Sequence, residues 1–237
     1  MSGALTVLAI GAHPDDIELL CGGTLALYAQ RGARVFMYHA TDGSKGGLTK
    51  GVDEIKADRM REAEEAARVI GATSFGGDFP DGEVETSFAN RLVFVDVIRR
   101  CNPDVVFTHH SGDYHTDHVN VSRMVFEAIY QVAIPRLETR HPALDRLPRL
   151  FSFDTVAGIG FEPQEYVDIS DVIDLKKRMM KAHDTQLSFV RDHHGVDFVE
   201  MIEVCARYRG FQCNARYAEA FAESVGWPRG GASRILP

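Results

Sequence analysis

The 237-residue chain has only four cysteines, Cys21, Cys101, Cys205 and Cys213, and no C-x-x-C pair, so neither a disulfide framework nor a thiolate zinc site is on offer. They fall in or beside helix-like stretches, where cysteine serves as a small hydrophobe, and a reduced, cytoplasmic setting is expected. Dense basic runs are missing as well. With 26 Lys and Arg against 34 Asp and Glu the formal charge is −8, which argues against a nucleic-acid partner. No apolar run approaches the ~20 residues of a membrane helix, and Met1-Ser2-Gly3-Ala4 lacks the basic start of a signal peptide. Membrane insertion and export are therefore not expected. No G-x-G-x-x-G follows the first apolar run, which disfavours a dinucleotide site.

What the chain does have is enough apolar content, 45%, to fill one sizeable core. Strand-like runs alternate with helix-period segments through the first half, which predicts right-handed βαβ crossovers and a Rossmann-like, mostly parallel sheet in a single α/β domain. Strands are expected at Leu5 to Ile10, Arg34 to Ala40 and Val105 to Thr108, with weaker ones at Phe151 to Ala157 and Tyr166 to Ile169. Helices are expected from about Ile17 to Gln30, Asp53 to Ile70 and Ser87 to Cys101, then through Val121 to Ile129, and late at Asp171 to Phe189 and Val196 to Tyr208. Gly22 and Gly23 inside the first helix suit close backbone packing. The stretch Gly76 to Glu83 reads as a turn, and Pro135 to Pro148 as an excursion at a partner contact or substrate rim. The domain is expected to span 1–223, with 224–237 a loosely held tail.

The chemistry sits at two strand ends. Ala12-His13-Pro14-Asp15-Asp16 follows the first strand, and His115-Thr116-Asp117-His118 follows the strand at Val105 to Thr108. Open α/β sheets place ligands at such ends, and imidazole plus carboxylate from both can converge on one divalent metal. Asp15 and Asp16 point different ways in an extended loop, so one can bind metal while the other takes a proton from water. His115 and His118, three apart at a helix start, can share a face, one on the metal and one over a developing oxyanion. Asp117 can orient a histidine through its second ring nitrogen. Metal-assisted hydrolysis is the chemistry these residues serve. His109 and His110 read as packing histidines, and His183, His193 and His194 as part of a solvated face.

These residues, with Cys21-Gly22-Gly23-Thr24, Thr41-Asp42-Gly43, Arg59 to Gly71 and Pro80-Asp81-Gly82, resemble the PIG-L/LmbE-like zinc-dependent N-deacetylases over nearly the whole chain. Ala206 to Gly210 and Tyr217 to Phe221 resemble the branch acting on N-acetylglucosaminyl malate in bacillithiol synthesis, although Ser44 stands where many members carry glutamate. The resemblance implies a zinc site of His13, Asp16 and His118, with Fe2+ or Co2+ as alternatives. It implies Asp15 as general base, His115 on the oxyanion or leaving amine, and Asp117 paired with His115. Arg59, or else Arg61, would hold substrate, and Asp42 would touch a sugar hydroxyl. The implied partner is a small N-acetylglucosaminide, and the implied assembly a homo-oligomer, a trimer or hexamer. The alternatives are an amidase of a larger glucosaminyl thiol conjugate and a non-catalytic sugar- or metal-binding protein.

Overall fold

Val7-Leu8-Ala9-Ile10 is buried completely, with Val7 and Ala9 in one apolar cluster and Leu8 and Ile10 in another. A strand apolar on both faces belongs in the middle of a parallel sheet covered on both sides. The computed structural model describes residues 4–226. In chain order it contains β1 (Thr6–Gly11), α1 (Asp16–Gln30), β2 (Arg34–Thr41), α2 (Val52–Arg68), β3 (Thr73–Phe79), α3 (Phe88–Cys101), β4 (Val105–Thr108) and α4 (Thr116–Ile129). There follow β5 (Arg149–Phe153), β6 (Glu165–Asp168), α5 (Ile173–Lys181), α6 (Asp184–His194), α7 (Phe198–Cys213) and β7 (Ala218–Glu223). The seven strands form one sheet in the order β3-β2-β1-β4-β5-β7-β6. The pairs from β3 to β5 are parallel, and β7 runs antiparallel to both β5 and β6. This is a single α/β domain, as expected.

The helix α1 is buried almost all round, because it packs on β1, β2 and β7 of the sheet and is covered by α5. Its Gly23 is required by that approach: a Cβ there would lie 2.8 Å from the Ile169 side chain. The Gly23 and Thr24 N–H groups also donate to the Glu219 carboxylate, at 2.9 and 2.7 Å, and Glu219 in turn pairs with Lys176. Buried charge is tolerable there because each carboxylate oxygen finds a donor.

Four local expectations change. The segment read as a turn from Gly76 carries β3 on to Phe79, with a register irregularity opposite His39 to Thr41. The late helix expected over Asp171 to Phe189 is two helices, broken at His183. The chain after Tyr208 holds the end of α7 and then β7, an inner strand. The excursion at Pro135 to Pro148 joins α4 to β5 and so lies at the amino ends of the parallel strands, where it cannot border a site at their carboxyl ends. Arg99 pins it by donating to the Val132, Ile134 and Leu137 carbonyls at 2.9, 2.8 and 2.7 Å. Of the expected tail, Ser224 donates its N–H to Leu150 O, and residues 227–237 lie outside the described residues. No helix among the described residues is long and apolar enough to cross a membrane.

Candidate metal and catalytic centre

From β1 the chain lays down β2 and β3 on one side, then returns to place β4 on the other, so β1 and β4 flank a topological switch point. Ile10 of β1 pairs with Thr108 of β4, which brings the loops that follow them together. His13 Nδ1 lies 3.2 Å from Asp16 Oδ2, His118 Nε2 lies 3.3 Å from Asp16 Oδ1, and the two nitrogens are 3.3 Å apart. A zinc ion bonded at about 2.0–2.2 Å holds tetrahedral ligands about 3.3–3.6 Å apart, and this cluster, in which each histidine faces a different Asp16 oxygen, is spaced to hold such an ion. The His13 N–H also donates to Asp16 Oδ2 at 2.6 Å, which locks the carboxylate toward the histidines.

Among the described residues two other groups are close enough to chelate, His109–Asp113–His118 and His13–His115–Asp117, and both are otherwise engaged. His109 Nε2 accepts the Ala12 N–H at 2.9 Å, and neither His109 nor Asp113 lines the cavity described below. Asp117 accepts the N–H groups of Gly82 and Val84 at 2.8 and 3.3 Å and is also turned away from that cavity. His13, Asp16 and His118 all line it.

Outer partners hold the triangle's far sides. His13 Nε2 meets both Asp81 and Asp117 at 3.2 Å, and His118 Nδ1 lies 3.2 Å from Asp113. Such carboxylates fix ring orientation and raise the basicity of the ligating nitrogen. Burial works against charge at every one of these groups, yet Asp16 is held well below the usual carboxylate range by His118, His109 and His13. His13 is raised well above an ordinary histidine, chiefly by Asp16, and His118 is raised to about 9 by Asp16 and Asp113, both against burial. A donor set this rich in negative charge favours cations, and a divalent ion competes there with two ring protons.

Asp15 stands apart from the triangle. It is buried with φ 125°, a backbone region that residues with a Cβ rarely adopt, which marks a functional position. Burial pushes its carboxyl up to about 6, opposed by Arg59, whose Nη2 lies 3.3 Å away. Arg59, expected on the substrate, lines the cavity but is 2% exposed; it donates to Pro14 O at 2.6 Å and Gly43 O at 3.1 Å and faces Asp15, while its Nε makes no hydrogen bond. The loop after β2 folds over it, and Gly43, with φ 64°, suits that approach, since a Cβ there would lie 2.9 Å from Arg59 Cδ, Nε and Cζ. Arg61 is on the outer face with Asp58 and Glu65. Asp42, expected on a sugar hydroxyl, instead accepts the Ser44 and Asp81 N–H groups at 3.1 Å each and meets Lys56, because an Asp-Gly turn uses its own carboxylate locally.

His115 lines the cavity, its ring 4.7 Å from those of His13 and His118. Its Nδ1 caps α4 by accepting the Asp117 N–H at 3.2 Å, which leaves Nε2 to carry the proton of the neutral ring. Burial and the neighbouring His13 and His118 lower its pKa, favouring that neutral form. The contact between Asp117 and His115 therefore runs through this backbone N–H, while the Asp117 carboxylate sits on His13.

One cluster escaped sequence reasoning. His183, expected on a solvated face, is fully buried at the α5–α6 break, with Nε2 3.1 Å from the equally buried Glu18. The glutamate's place two residues after Asp16 was the available signal; nothing near position 183 pointed inward.

The centre opens into a cavity of about 560 Å³, walled on the far side by Leu19, Val156, Ala157 and residues of α6 and α7. A buried His–Asp–His cluster able to hold a metal ion, beside a strained carboxylate at the switch point of a mostly parallel sheet, has the build of an enzyme site of the α/β class. The description GlcNAc-PI de-N-acetylase, PIG-L, matches residues 8–129, more than half the chain. The chain belongs to the PIG-L family and is by that membership an N-deacetylase, a hydrolase of an amide bond. It is 28% identical over 223 residues to diacetylchitobiose deacetylase of Thermococcus kodakarensis, covering 90% of this chain and 80% of that one. With the 1D-myo-inositol 2-acetamido-2-deoxy-alpha-D-glucopyranoside deacetylase of Acidothermus cellulolyticus it shares 26% over 233 residues, 77% of this chain and 80% of the other. The crystal structure of conserved protein TT1542 from Thermus thermophilus superposes with a TM-score of 0.81 at 29% identity, covering 98% of this chain and all of that one. These relatives replace the bacillithiol branch as the chain's named neighbours.

Proposed function

We propose that the protein removes the acetyl group from an N-acetylglucosamine-type glycoside, releasing acetate and a free amine, with zinc held by His13, Asp16 and His118. The observation that carries this reading is the cluster of His13, Asp16 and His118, whose facing donor atoms approach to 3.2 to 3.3 Å, lying beside a buried, strained Asp15 in one cavity. Relatives named for acetamidosugar deacetylation supply the substrate class. Zinc in this site supplies a Lewis acid that polarises the amide carbonyl and acidifies water.

The chain's own residues do the rest. Asp15, ionised, accepts the proton of the attacking water; burial makes it a stronger base than a surface carboxylate, and Arg59 keeps it ionised near neutrality. The neutral His115 donates from Nε2 to the oxyanion of the tetrahedral intermediate. Asp15, now protonated, returns the proton to the departing nitrogen as the C–N bond breaks. Asp81 and Asp117 keep His13 turned toward Asp16 throughout.

The test is amine release from the methyl glycoside of N-acetylglucosamine by zinc-loaded protein, chelated protein and Asp15→Asn. Metal-dependent release that falls by about 10²–10⁴ in the variant supports the reading. Equal release by all three samples would overturn it, as would no release from any acetamidosugar.

A further inference from the structure

The cavity has two unlike sides. Around the metal ligands it is polar, while the opposite wall carries Leu19, one turn beyond Asp15, and Phe189, Val190, Val196, Phe198 and Met201 from α6, α7 and the turn between them, with Gln186 and His194 of α6 as its polar members. Val196 is 38% exposed, and Phe189, Phe198 and Met201 are half-buried, so apolar surface faces the open cavity directly beside the reacting centre. Apolar surface left open in a ligand chamber marks what the ligand brings to it. At about 560 Å³ the chamber lies in the range that encloses a drug-sized molecule, with space beyond one sugar ring and its acetamide.

Charge points the same way. Among the described lining residues the only Lys and Arg are Lys45 and Arg59. Lys45 is paired with Glu83 at 2.8 Å, and Arg59 faces Asp15 and donates to Pro14 and Gly43. A carboxylate or phosphate on the aglycone would have to compete with Glu83 for Lys45, and a second sugar or an inositol would set most of its hydroxyls against hydrocarbon, with Gln186 and His194 as the polar side chains of that wall.

We propose that the α6–α7 wall is a subsite for an apolar appendage on the aminosugar, so that the enzyme prefers amphiphilic N-acylglucosamine substrates carrying an alkyl or aryl group. This rests on the deacetylase reading above. The appendage is the aglycone or an acyl chain longer than acetyl, and the same hydrocarbon contact serves both.

Amine release by the zinc-loaded protein is to be compared for four compounds: the methyl and octyl glycosides of N-acetylglucosamine, the methyl glycoside of N-octanoylglucosamine, and N,N′-diacetylchitobiose. One octyl compound is expected to exceed both the methyl glycoside and chitobiose in kcat/KM by about 30-fold or more, the effect of burying a few methylenes, and which one does so identifies the end that enters the wall. Phe189→Ser combined with Phe198→Ser should carry the octyl-to-methyl ratio most of the way to one. Calorimetry supplies a readout without turnover: octyl glucosaminide should bind the loaded protein with a negative heat-capacity change, and methyl glucosaminide should not. Equal kcat/KM for octyl and methyl compounds, or a ratio unmoved by the double substitution, overturns the subsite and leaves the deacetylase reading standing. No amine from any compound, with octyl glucosaminide still bound, does the reverse.

Discussion

Two buried histidine–carboxylate clusters lie along α1, and they differ in what surrounds the contact. At Glu18 and His183 two fully buried side chains approach to 3.1 Å as an ion pair without a hydrogen bond between them, and neither lines the cavity. At His13, Asp16 and His118 three donors from two strand ends converge, each backed by its own outer partner, and the group opens to solvent through the cavity. Glu18 and His183 balance each other's charge as a pair, while a carboxylate facing three imidazoles, with further carboxylates behind them, is arranged for a cation. The number of converging donors and the access to them, rather than burial or residue type, separate a ligand site from a structural pair.

The difference has measurable consequences. Replacing a member of the triangle, as in Asp16→Ala, should abolish stoichiometric metal binding and reduce amine release by on the order of 10⁴-fold, both read on the same preparation. Asp15→Asn should keep the metal while kcat falls by about 10³-fold; loss of the metal in this variant would place Asp15 among the ligands instead. Glu18→Gln should lower folding stability by about 3 kcal/mol in denaturant titration, with metal content unchanged. Were it to strip the metal, the separation of the two clusters would collapse. Asp117→Asn acts one step out from the triangle and should weaken metal affinity by about 10- to 100-fold through His13.

The pair at Glu18 also carries a pH signature. Burial pushes the Glu18 carboxyl up, but His183 more than reverses this and leaves it below its ordinary value. Burial likewise opposes charge on His183, and Glu18 outweighs it and raises the imidazole. The glutamate's contribution is present above its unfolded pKa of about 4.3 and fades as pH falls through its lower folded value. The histidine's is full below about 6.5 and is lost as pH rises through its raised folded value. The thermal stability gap between the wild-type protein and Glu18→Gln should therefore be widest between about pH 4.3 and 6.5 and narrow on the alkaline side.

Much of this was readable in the sequence, for physical reasons. A site at strand ends compresses its chemistry into short polar segments after apolar runs, so His13 to Asp16 and His115 to His118 announced themselves, as did the inner strands β1, β2 and β4. Partners that meet only through tertiary packing were not readable. His183 reaches Glu18 across most of the chain, and nothing local distinguishes it from an exposed helix histidine. The strand β7 was hidden because Glu219, charged and buried, interrupts its apolar pattern for the sake of α1 and Lys176. Arg59 and Asp42 were recognisable as polar residues near the site, but whether each faces substrate or backbone depends on how the loop after β2 folds over Arg59.

The most direct measurement is a zinc-edge anomalous difference map from a crystal of the zinc-loaded protein. One strong peak bounded by His13 Nδ1, Asp16 and His118 Nε2, open to the cavity on its remaining side, is the predicted result. A principal peak among His109, Asp113 and His118 Nδ1, or among His13 Nε2, His115 and Asp117, would contradict the assignment of the centre and of Asp15 beside it.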